Sequence, residues 1–108
     1  MKLTDEQIAH FQARAEAGEN PMLPGWEFVT GLFWRLELWH DKSIARVVPS
    51  VVKAEWSIEI QLGMPRHIHG FPSDIAGQLA VEHLLREATQ RLHAEAYRNL
   101  EDLREWHD

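Results

Sequence analysis

The sequence predicts an α+β fold: an N-terminal helix, a three-stranded antiparallel sheet and a long C-terminal helix, in the order α-β-β-β-α. Three observations carry this expectation. Apolar residues recur at helical spacing at both ends of the chain, they alternate with polar ones between Trp26 and Leu62, and segments rich in glycine and proline separate the two regimes. At 108 residues the chain has the size of one domain, spanning 1–108.

The first helix carries a full start signal. Thr4 is a good N-cap, Gln7 completes a capping box, and Leu3 with Ile8 forms a hydrophobic staple. Ile8, Phe11 and Ala15 then mark one face, and Gly18 suits the left-handed conformation that ends a helix. The helix is expected over Asp5 to Ala17. Pro21, Pro24 and Gly25 make the following segment a loop.

From Trp26 the period becomes two. Phe28, Leu32, Trp34, Leu36 and Leu38 share one parity, which predicts a single strand with a bulge at Gly31. His40 to Ser43 is a polar turn. The segment Ser43 to Ala54 reads as a short strand, because Pro49 would cost a helix there about 3 kcal/mol. Ala54, Trp56, Ile58, Ile60 and Leu62 alternate with polar residues and define the third strand. Gly63 to Pro72 is expected to be a loop.

Ser73 or Asp74 should cap the last helix. Val81, Leu84, Leu85, Ala88, Leu92, Ala96, Leu100 and Leu103 form a continuous apolar stripe, with Leu79, His83, Arg86, Gln90 and Tyr97 on roughly the opposite side. Glu82–Arg86 and Glu87–Arg91 are spaced as favourable helical ion pairs. The helix should run from about Asp74 to about Trp106, roughly 50 Å at 1.5 Å per residue. A domain of this size has a radius of gyration of about 13 Å. The helix is therefore expected to outrun its sheet, to break, or to pack along a second subunit.

Composition narrows the function. The chain is 44% hydrophobic and 26% charged, with five tryptophans and no cysteine. Disulfides, thiolate metal sites and cysteine nucleophiles are excluded. The apolar runs fall short of the ~20 residues that span a bilayer, and the polar N-terminus lacks the apolar run of a signal peptide, so a cytoplasmic protein is expected. The net charge is −6. Residues 1–20 carry 2 basic and 4 acidic side chains, 21–81 carry 5 and 6, and 82–108 carry 4 and 7. Acidity at the two ends repels phosphate backbones and attracts basic surfaces, which argues against direct nucleic-acid binding.

Chemical constellations are few. His67 and His69, two apart on an extended segment, point the same way and offer a metal pair, with a third ligand sought among His40, His83 and Glu87. The same loop, with Arg66, precedes a helix N-terminus and offers an anion site. The plainer reading is a polar loop with neighbouring histidines. Ser43, Ser50, Ser57 and Ser73 are explained as turn, cap or strand residues, and Glu55 and Glu59 as a solvated strand face. No catalytic residue and no cofactor is expected.

The leading expectation is a small acidic, non-enzymatic protein that binds a basic, nucleic-acid-handling protein as an inhibitor or adaptor. Arg86, Gln90, Tyr97, Glu101, Glu105 and Trp106 on the last helix are expected to meet that partner, tyrosine, arginine and tryptophan being enriched at interfaces. A homodimer joined through the same helix is the first alternative. A metal or small-ligand site at residues 66–69 is the second.

Overall fold

Thr4 opens α1 (Asp5–Glu16) as its neighbours require. In the computed structural model of the chain, the Gln7 amide donates to the Thr4 hydroxyl at 3.2 Å, and the Thr4 amide donates back to Gln7 Oε1 at 2.8 Å. At the other end Gly18 has φ +92°. Its amide donates to Ala15 O and the Glu19 amide to Arg14 O, the paired bonds of a Schellman ending. The structure describes residues 3–39, 42–51, 53–61 and 66–107, with the backbone alone at 38–39, 42–43, 92–93 and 95–107.

Between the helices lies a five-stranded antiparallel meander rather than three strands. Its order is β1 (Trp26–Val29), β2 (Phe33–Trp39), β3 (Lys42–Pro49), β4 (Trp56–Ile60) and β5 (Arg66–Phe71). The expected single strand from Trp26 is a hairpin. The Leu32 amide donates to Val29 O at 3.0 Å, and Thr30 and Gly31 both have positive φ, 52° and 70°. Positive φ at both central residues gives a turn whose twist matches the flanking strands. Because Val29 pairs with Phe33 across it, even-numbered residues keep one face before and after the turn. The alternation therefore runs through the reversal undisturbed.

The expected loop before the last helix is β5, paired with β4 through Ile58↔Ile68, Glu59↔His67 and Ile60↔Arg66. A register shift follows, with Gly70 at φ +95°, before Trp56 meets Phe71. The two apolar residues of the strand thus stand three apart, which hides a period of two.

Leu36, Ala45, Val47, Ile58, Ile60 and Phe71 are buried on one sheet face, and both helices pack there. The result is two layers. The opposite face carries Glu27, Arg35, Arg46, Glu59 and His67 side by side across all five strands. Val29 and Phe33 are half-buried on that same face, away from the two helices.

Ser73 caps α2 (Asp74–His107), its hydroxyl accepting from the Ala76 amide at 3.2 Å and donating to Gln12 Oε1 on α1 at 2.8 Å. Ala76, Gly77 and Ala80 let the helix lie close to the sheet; a Cβ at Gly77 would stand 2.8 Å from Val47 Cγ1. Trp34 Nε1 donates to Asp74 Oδ2 at 2.9 Å, tying β2 to the helix start, and the Trp34 ring stacks on Phe28 with centroids 4.9 Å apart. Trp34→Phe keeps a ring in place and removes that donor. It is expected to lose about 1.5 kcal/mol in urea unfolding, the usual value of a bond to a charged acceptor.

Candidate functional site

Beyond Leu85, no side chain of α2 is buried among the described residues. Its first turns are held from several directions. Leu79 and Gln78 are buried together with Val81, Leu84 and Leu85, because α1 packs beside α2 and covers a side that a single-stripe reading leaves to solvent. Leu79 is thus a core residue, not part of an outward face. Phe11 of α1 meets the His83 ring at a centroid distance of 5.5 Å.

Glu82 fixes the helix against the loop before β1. It is 7% exposed, and its carboxylate accepts from the Met22 amide at 2.9 Å to each oxygen, from the Leu23 amide at 2.8 Å and from Trp26 Nε1 at 3.0 Å. Sequence spacing had offered Arg86 as its partner. The structure spends the carboxylate on three neutral donors instead, and among the described residues Arg86 forms no ion pair. Glu87 likewise lies 3.0 Å from His83 Nε2 rather than on Arg91.

Past Leu85 the helix emerges. Arg86, Thr89, Gln90, Arg91 and Ala94 are exposed, and the backbone continues as helix to His107. The molecule measures 60 × 33 × 25 Å with a radius of gyration of 16.6 Å, well above the ~13 Å of a rounded domain of this length. The helix does not break between Asp74 and His107.

Two of the six expected partner-binding residues can be placed. Arg86 is exposed beside a small polar crevice with Arg14, Glu19, Asn20 and Met22, and Gln90 is exposed with Arg91 and Ala94. Tyr97, Glu101, Glu105 and Trp106 lie on the helical backbone of α2, their side chains outside the described residues.

His67 and His69 stand on β5, not in a loop. Their ring centroids are 6.4 Å apart; His67 Nδ1 lies 3.7 Å from Glu59 Oε1, and His69 Nδ1 lies 2.8 Å from Ser57 Oγ. Neither ring precedes the α2 N-terminus closely, since Gly70, Phe71 and Pro72 intervene and Ser73 and Asp74 already serve its amides.

No family model matches this chain, nor does any curated protein or solved structure. The site must be read from its own chemistry. Among the described residues no group of three histidine, aspartate or glutamate side chains is arranged to hold a metal ion. Of the third ligands considered, His83 and Glu87 contact each other on α2, and His40 lies outside the described residues. Ser57 and His69 form a serine–histidine contact, but on an open strand face, and among the described residues no carboxylate pairs with His69. On the same face Arg35 Nη2 meets Glu27 at 2.8 Å and Glu37 at 3.0 Å, while Arg46 Nε lies 3.4 Å from Glu59. These are exposed ion pairs of small energetic value. No described helix is long and apolar enough to cross a membrane.

Proposed function

We propose that this chain is a non-catalytic docking protein that presents the second half of α2 to a basic protein partner. One observation carries the reading: α2 continues as helix from Arg86 to His107, Leu85 is the last buried side chain among the described residues, and the sequence keeps apolar residues at Ala88, Leu92, Ala96, Leu100 and Leu103. A helix with such a stripe gains stability from burying it, and an amphipathic helix laid in a groove is a common mode of recognition. The 7 acidic residues against 4 basic ones over 82–108 favour a partner of positive charge, the profile of an inhibitor or adaptor of a nucleic-acid-handling protein.

The full chain carrying Leu100→Asp and Leu103→Asp is expected to unfold within about 0.5 kcal/mol of the parent, as substitutions away from the packed body do. The same pair should abolish capture of a basic partner from the native host, and capture by the parent should weaken steadily as salt rises. A large loss of stability would mean that the stripe is packed within the chain, and salt-insensitive capture would remove the basic partner. The second reading, a homodimer along the same helix, rests on the same stripe. Light scattering at tens of micromolar separates the two, since a strict monomer eliminates the dimer.

A further inference from the structure

β5 is an edge strand. In the described sheet it is hydrogen-bonded to β4 alone, so its other side presents unpaired backbone amide and carbonyl groups. That side is not closed by α1. A groove of about 370 Å³ lies between them, lined by Leu3, Asp5 and Ile8 from the start of α1 and by Arg66, His67, Ile68 and His69 from the strand. Consecutive residues of a strand point to opposite faces, so a groove lined by all four must run along the edge of the strand rather than over one face.

The groove has an apolar floor, and its walls carry one guanidinium and two imidazoles. Leu3, Ile8 and Ile68 are partly buried against the core, whereas His67 and His69 are exposed and Arg66 enters no ion pair among the described residues. Asp5 is the one carboxylate in the lining. Glu59, behind His67, is already matched by Arg46. This arrangement disfavours a second copy of the chain. Antiparallel pairing of two β5 strands about Ile68 would set His67 opposite His69 and each Arg66 opposite a Gly70, so that no carboxylate of either strand meets these groups.

We propose that this groove takes an extended, acidic segment of a partner protein, which adds to β5 as a sixth strand. β5 has six residues, so at about 3.3 Å each the contact is roughly 20 Å long. Main-chain bonds to the strand edge supply affinity. Alternate side chains of the segment meet the apolar floor, and its carboxylates meet Arg66, His67 and His69. This inference is independent of the role given to α2, because none of the groove residues belongs to that helix.

The test is selection of a display library of random twelve-residue peptides on the full-length protein. Enrichment of sequences that alternate aspartate or glutamate with aliphatic residues is expected. The best peptide, synthesised, should shift the amide resonances of Arg66 to Phe71. N-methylation of its alternate amides should weaken binding at least tenfold, and so should Arg66→Glu, with the unfolding midpoint of that variant unchanged. Selection without an acidic bias, shifts confined to α2 or to the β1–β2 hairpin, or undiminished binding of the N-methylated peptide would each overturn the proposal. Failure to enrich any peptide would do the same, and would leave the α2 reading untouched.

Discussion

Glu82→Ala is expected to destabilise the domain by about 3 kcal/mol, lowering the melting temperature by about 12 °C or more. The alanine removes a carboxylate that accepts four hydrogen bonds from three groups: the Met22 amide, the Leu23 amide and the Trp26 indole. Each bond to a charged acceptor contributes about 1.5–3 kcal/mol. The full sum is not expected, because Met22 is 81% exposed and its amide can be rehydrated when the loop opens. Glu82→Gln keeps one oxygen but turns an NH₂ group toward an N–H donor, so about half the loss should return. Urea unfolding followed by tryptophan fluorescence reads both effects. A double-mutant cycle with Trp26→Phe should give a coupling of about 1 kcal/mol. A loss below about 1 kcal/mol for the alanine would show that the loop docks without the carboxylate.

Gly25→Ala is the second large effect, at about 3 kcal/mol, and its cause is steric. A Cβ at position 25 would lie 2.0 Å from Glu37 O and 3.1 Å from Glu37 C, with Leu36 Cδ1 at 3.3 Å. Those are chiefly backbone atoms of β2, which cannot rotate away as a side-chain tip would. The Glu37 amide also donates to Gly25 O at 3.1 Å, so relief requires breaking the bond that sets the start of β1 beside β2. Leu36, fully buried, would move with it. The variant should fold with a lower unfolding midpoint, measured by thermal melting with circular dichroism. Because Gly25 and Glu82 hold the same short segment, the two substitutions together should cost less than the sum of their separate effects. Strict additivity would separate the loop's two anchors, and a near-parental Gly25→Ala would mean that the strand shifts at little cost.

Both effects arise at residues whose sequence context looks ordinary. Gly25 reads as loop punctuation, and Glu82 reads as one end of a helical ion pair with Arg86. Nothing local announces that a carboxylate on α2 will be buried against amides about sixty positions earlier. The same holds for Leu79, whose burial follows from α1 lying beside α2. Among the candidate site residues, the pairing of His67 and His69 on one extended face was legible from their spacing. Their neighbours Ser57 and Glu59 come from β4 and depend on register.

Local rules acted without help at the ends of the elements. Thr4 and Gln7, Gly18, Ser73 and the alternation from Trp56 to Ile60 each specify their geometry within a few residues, so the chain alone determines the two helices, their caps and β4. The number of strands was decided only in three dimensions. A turn that preserves parity merges β1 with β2 in the pattern, and a bulge at Gly70 erases the period of β5, because side-chain alternation records which face a residue takes and not where the chain reverses. The tertiary structure also decided how much of α2 is held. Its stripe is continuous in sequence from Val81 to Leu103, and among the described residues the sheet and α1 bury it fully only through Leu85, since a layer of short strands is narrower than a helix of 34 residues.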